Sequence, residues 1–116
     1  MIKEEFMRAA VENAQKAAQL GEVPVGAVIV KGDKIIAHGY NKRETKKNAL
    51  SHAETEAINA ACESLGSWRL DGCTMYVTLE PCPMCTGAIM TARIDRVVFG
   101  AYDEKGGAMG GVCDLC

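Results

Sequence analysis

Two short motifs constrain this chain most: Ser51-His52-Ala53-Glu54 and, about thirty residues on, Pro81-Cys82-Pro83-Met84-Cys85. Each stands at the head of a helical segment. Ala53, Ala57, Ile58, Ala61 and Leu65 form one face of a helix over 52–65 that Gly66 closes, and Pro83 sits in the first turn of another over 83–92. Between them, 74–79 reads as a strand. One imidazole and two thiols are metal donors only where they meet, so the fold must bring two helix N-termini to one point.

The flanking segments show how. Residues 3–20 carry Met7, Val11, Ala14 and Ala18, with Phe6 and Ala10 beside them, at the spacing of one helical face, and Gly21 ends that helix. The β-branched runs 25–31 and 34–39 are joined by Gly32-Asp33, a two-residue loop whose leading glycine suits a primed hairpin turn. A fourth strand is expected over 96–101. Strand, helix, strand across 74–101 implies a right-handed parallel crossover beside the antiparallel hairpin. The expectation is an α/β fold with a mixed sheet of at least four strands covered by helices. Residues 40–50 read as a polar loop with a basic run, Lys42, Arg43, Lys46 and Lys47, and 103–111 as a glycine-rich loop.

At 116 residues, 48% hydrophobic, the chain fits one domain over 1–116 with one core. A formal net charge of -2 provides no global basic field, so a nucleic-acid partner would have to be held by a local patch. The apolar stretch 23–30 is too short to span a bilayer, and the N-terminus lacks a signal-peptide core. A cytoplasmic protein with reduced thiols is expected.

His52, Cys82 and Cys85 suit zinc with one coordination position left for water, the arrangement that makes a nucleophile near neutral pH. The positive ends of two helices favour thiolate over thiol. Glu54, two residues after His52, points away from it and is better placed beside a metal than on it. There it can take a proton from water and pass protons to a ring nitrogen and a leaving ammonia, a relay worth roughly 10²–10⁴-fold. Together these groups suit hydrolytic deamination of an amino-substituted heterocycle.

Blander readings exist for each piece. Ser51 to Glu54 also fits a capping box with Ser51 as N-cap, and Cys-x-x-Cys alone fits redox chemistry or structural zinc. Cys113 and Cys116 could join Cys82 and Cys85 in a four-cysteine site, though the gap exceeds the usual spacing of about 15–20 residues and would leave His52 and Glu54 unexplained. Otherwise they are reduced thiols, and Cys62 and Cys73 small buried or partly buried residues.

The His-x-Glu and Pro-Cys-x-x-Cys pair is the signature of zinc nucleobase deaminases. With the stretches Gly21-Glu22-Val23-Pro24-Val25-Gly26-Ala27, Asn41, Gly66-Ser67-Trp68-Arg69-Leu70, Tyr76-Val77-Thr78-Leu79-Glu80-Pro81-Cys82 and Arg96-Val97-Val98-Phe99-Gly100-Ala101, the chain resembles the bacterial tRNA-specific adenosine deaminases. These enzymes convert the wobble adenosine of an anticodon to inosine. The resemblance implies a cytidine deaminase-like three-layer α/β/α sandwich with helices on both faces of the sheet, and a homodimer with sites near its interface. It further implies one zinc per chain on His52, Cys82 and Cys85, proton transfer by Glu54, base contacts from Asn41 and the Ala53 N–H, and Asp103 near the ribose. Lys42, Arg43, Lys46 and Lys47, flanking Asn41, become candidates for phosphates of a tRNA anticodon loop. Family members continue past residue 116 into a fifth strand and a C-terminal helix, which 1–116 is expected to lack. Alternatives are a guanine or cytosine deaminase of the same fold and a non-enzymatic, zinc-bound RNA-binding module.

Overall fold

A computed structural model describes residues 3–101 together with Gly107 and Met109. The elements run α1 Glu4–Gln19, β1 Gly26–Lys31, β2 Lys34–Tyr40, α2 Arg43–Lys46, α3 Ala53–Leu65, β3 Cys73–Val77, α4 Pro83–Thr91 and β4 Arg96–Phe99. The sheet order is β2-β1-β3-β4. β1 pairs antiparallel with both β2 and β3, and β3 pairs parallel with β4, so the mixed sheet and the crossover through α4 are as the sequence predicts.

β1 is central, and five of its six residues are buried, as expected of a strand covered on both faces. Alternation divides its side chains. Val28 and Val30 pack with Phe6, Ala10 and Tyr76 beneath α1. Ala27 and Ile29 join Met75, Val77, Ala53, Ala57, Ala61 and Ile89 beneath α3 and α4. Among the described residues the result is the α/β/α sandwich, with α1 on one face and α3 and α4 on the other.

Alanine-rich helix faces meet glycines on the sheet. A Cβ on Gly26 would collide with the backbone of Ala10 and Ala14 in α1, and one on Gly39 with the backbone of Ala53 and Ala57 in α3. The helices therefore lie closer to the sheet than any side chain there would allow. In the hairpin only Gly32 takes a positive φ, 63°, which fits the II′ form of the primed turn.

Three elements differ from the sequence reading by more than one residue. The polar stretch 40–50 contains a short helix, α2, which buries no residue and is held from outside itself. The strands β3 and β4 end at Val77 and Phe99, but backbone bonds from Thr78 to Gly26, Gly100 to Val77 and Glu80 to Ala101 carry the chain onward in step. That ladder delivers Glu80 and the Cys82 motif to the mouth of the site.

Candidate active site

His52 is the N-cap of α3 and Cys82 the N-cap of α4, both in extended backbone, and Cys85 lies in the first turn of α4. His52 Nδ1 lies 3.7 Å from Cys82 Sγ and 3.5 Å from Cys85 Sγ, and a ligand atom from each of the three residues lies within 4.8 Å of the others. A tetrahedral zinc with bonds of about 2.3 Å to sulfur and 2.0–2.1 Å to nitrogen sets N···S separations of about 3.5–3.6 Å. The donor set fits such an ion in both chemistry and spacing.

The two thiols divide one proton. Cys82 is pulled down to about 5, chiefly by the hydrogen bond from Cys85, with His52 assisting against burial. Cys85 is pushed far up by donating that bond and by its own burial. A bound cation would displace the remaining proton.

Glu54 is 4% exposed, and burial raises its carboxyl to about 7, with the neighbouring Cys82 adding to the shift. It does not act as a cap. His52 N–H donates to Thr55 Oγ1 at 3.1 Å, and the Thr55 hydroxyl bonds back to the Leu50 carbonyl. The helix thus starts one residue later than a Ser51 cap requires, Thr55 takes the carboxylate's place in the box, and Glu54 turns inward.

His52, Glu54 and Cys82 line a cavity of about 230 Å³. Val23, Val25 and Leu79 make its apolar wall, and Asn41, Arg43 and Glu54 supply its polar side. This is smaller than the roughly 300–1,000 Å³ of drug-sized sites, so a single heterocycle fits inside and the rest of a larger substrate stays out. Asn41 is held on two sides: its Oδ1 accepts from the Arg43 N–H at 3.0 Å and its Nδ2 donates to the Val23 carbonyl at 3.4 Å. Ala53, at the first position of α3, also lines the cavity. Asp103, Cys113 and Cys116 lie outside the described residues.

The basic run is not one uniform patch. Lys46 Nζ lies 2.9 and 3.0 Å from the carboxylate oxygens of Glu56, and Lys42 Nζ 3.8 Å from it, above the Tyr40 ring at 4.6 Å. Of the four cations, Arg43 is the one that lines the cavity. Motif reading misses three acidic residues here: Glu22, which bonds to α2; Glu56; and Glu80, a buried cavity residue that accepts from the Met109 N–H at 2.6 Å. Glu22 and Glu80 lie inside stretches that carry the family resemblance, and that is the signal by which the sequence could have singled them out. Cys62 and Cys73 are partly buried and buried, as expected, and Cys62, Cys73, Cys82 and Cys85 are all free thiols. No helix among the described residues is long and apolar enough to cross a membrane.

Residues 1–115 match the MafB19-like deaminase family. The chain is 52% identical over 110 residues to a tRNA-specific adenosine deaminase of Bacillus subtilis, covering 95% of this chain and 68% of that protein. A solved structure from a study of A-to-I editing by tRNA:A34 deaminases superposes with a TM-score of 0.92 at 43% identity, over 97% of this chain and 80% of the other. A guanine deaminase from Bacillus subtilis superposes with a TM-score of 0.84 at 45% identity, over 88% of this chain and 66% of the other.

Proposed function

The chain belongs to the MafB19-like deaminase family, and within it to the tRNA-specific adenosine deaminases, and from that premise we propose that it hydrolyses the wobble adenosine of a tRNA anticodon to inosine. The observation that carries this reading is a buried carboxyl, Glu54, beside a His-Cys-Cys donor cluster at the end of a base-sized cavity. The reaction forms a bond from water oxygen to C6 of the base, breaks the bond from C6 to the exocyclic amine and releases ammonia, so it needs a nucleophilic water and a proton carrier in one place.

His52, Cys82 and Cys85 would hold one zinc per chain. When bound, that ion supplies the Lewis acidity that lets water attack at neutral pH. Glu54 takes the proton from water and delivers protons to the ring nitrogen and the departing amine, and its burial, which favours the protonated form, suits it to carry them. The Asn41 amide and the Ala53 N–H, one of the unpaired donors of the first turn of α3, hydrogen-bond the base edge. By resemblance Asp103 lies near the ribose. Val23, Val25 and Leu79 flank the ring and exclude bulk water.

A cavity for one heterocycle requires the base to leave its stack, and the exposed bases of an anticodon loop do so at low cost. Arg43, at the rim beside Asn41, meets the flanking phosphates. We read 1–116 as one catalytic domain that works as a homodimer in the cytoplasm, where its substrate resides.

The test is inosine formation at the wobble position of an anticodon stem-loop, with zinc counted in the same sample. One zinc per chain and loss of inosine in Glu54→Ala are expected. Deamination of free guanine without any action on RNA would favour the small-molecule reading, for which the guanine deaminase superposition speaks. Zinc binding and RNA binding without ammonia release would point to a non-enzymatic module instead.

A further inference from the structure

We infer that Glu22 is a positioning residue for the substrate: from behind the site, it holds the turn that presents Asn41 and Arg43 to the cavity. The inference rests on the deaminase reading above and assigns a role to a residue outside its donor cluster and base contacts.

Glu22 is 6% exposed. Its Oε1 accepts from the Glu44 N–H at 3.2 Å, and its Oε2 from the Thr45 N–H at 2.6 Å and the Thr45 hydroxyl at 2.7 Å. Those amides are first-turn donors of α2, which a helix cannot satisfy internally. The α2 N-cap residue, Lys42, makes no side-chain capping bond, so a carboxylate from more than twenty residues away takes over that task. A four-residue helix has no stability of its own, and α2 buries no side chain that could pin it by packing. Hydrogen bonds and ion pairs fix it instead, and Glu22 supplies three of them to its opening turn.

The same segment grips the neighbouring substrate residue. Asn41 Nδ2 donates to the carbonyl of Val23, next to Glu22, and Asn41 Oδ1 accepts from the N–H of Arg43, the first residue of α2. A closed ring results: Glu22 to α2, Arg43 to Asn41, Asn41 to Val23. Release of the carboxylate loosens the opening turn of α2, whose last turn stays tied to Glu56 through Lys46, and disturbs the Arg43 guanidinium and one of the two bonds that orient the Asn41 amide. His52, Glu54, Cys82 and Cys85 sit on α3 and α4 and keep their places. Loss of Glu22 should therefore impair substrate binding more than the chemical step.

A glutamine tests this well, since it keeps the shape of Glu22 but turns an NH₂ towards donors that need an acceptor. The measurements use the zinc-loaded full chain carrying Glu22→Gln, Glu22→Ala or Thr45→Val. Expected for both Glu22 variants are a KM for the stem-loop raised about tenfold or more, a kcat within about threefold of wild type, unchanged zinc content, and faster amide hydrogen exchange at Glu44 and Thr45. Thr45→Val, which loses the hydroxyl but keeps the N–H, should fall between. Unchanged KM and unchanged Thr45 exchange in Glu22→Gln would overturn the inference. So would a joint fall in kcat, zinc content and melting temperature, which marks a merely structural residue. If the wild type makes no inosine, the tRNA reading fails, and Glu22 is then judged by Thr45 exchange and by KM for whichever free base is deaminated.

Discussion

Replacing Gly39 by alanine should unseat the metal cluster by pushing α3 off the sheet. A Cβ there would press on the Ala53 carbonyl, would come 2.6 Å from the Ala57 nitrogen and 3.0 Å from the Ala57 Cβ. Two of those three atoms are helix backbone and cannot rotate aside, so for ordinary contacts of about 3.5–4.0 Å the start of α3 must retreat by roughly an ångström. Overpacking of this kind costs about 1–3 kcal/mol. At about 2.1 cal/mol/K per residue, a chain of 116 residues has an unfolding entropy of about 0.24 kcal/mol/K, so the melting temperature should fall by roughly 4–12 °C. The retreat also carries His52 away from Cys82 and Cys85, whose 3.5 and 3.7 Å separations from Nδ1 now suit zinc. Metal bonds tolerate about ±0.2 Å, so zinc affinity should weaken at least tenfold. Calorimetry gives the first number and competition with a chromophoric chelator the second. Gly26→Ala is the matched control: its Cβ meets α1, on the opposite face, so it should lower the melting temperature comparably and leave zinc affinity alone. A Gly39→Ala protein with unchanged melting, or a Gly26→Ala protein that loses zinc equally, would refute this account of how the sheet seats α3.

Three further outcomes are expected. Glu54→Gln should keep its zinc and lose roughly 10²–10⁴-fold in kcat, and loss of the metal in that variant would contradict its place beside the ion rather than on it. Glu56→Gln releases Lys42 and Lys46, so stem-loop binding should tighten and the slope of log K against log salt should steepen by up to about 1.4, from two further phosphates at about 0.7 each. An unchanged slope would place those lysines off the RNA path. Gly87→Ala meets nothing within 4 Å and should stabilise α4 by up to about 1 kcal/mol in thermal melts. A loss there would show that a second chain covers that face of α4.

The parts of the fold legible in the sequence are those fixed by local rules. Periodicity located α1 and α3, the first-turn proline located α4, β-branched runs located the hairpin strands, and the cluster could be read because its three ligands sit at helix starts that proline and the glycine stops betray. What escaped depends on partners distant in sequence. α2 looks like loop because its first-turn acceptor is Glu22, and no window of residues 40–50 contains it. The basic run reads as four free cations because Glu56 joins Lys42 and Lys46 only once α3 lies alongside. Ser51 to Glu54 matches a capping box letter for letter. Thr55 makes a rival box one residue later, on the His52 amide instead of the Ser51 amide, and the choice is settled by where α3 docks, not by the motif.

The acidic residues around the site show why a net charge of -2 said so little about it. Glu22 and Glu54 are both buried, and burial by itself raises a carboxyl's pKa. Glu22 nevertheless lies below the ordinary carboxylate range, because the Thr45 hydroxyl bond, with the Thr45 and Glu44 amides, outweighs desolvation. Glu54 goes the other way, to about 7, because its own backbone N–H and the Cys85 thiol are too little compensation for its burial. The first carboxylate is thereby fixed as an anion and serves as an anchor, while the second is left able to gain and lose a proton near neutrality. Donor count together with depth of burial separates the anchoring acid from the catalytic one. It follows that adding a donor to Glu54 should cost activity even where zinc stays in place, and that removing donors from Glu22 should loosen a loop without creating a second base.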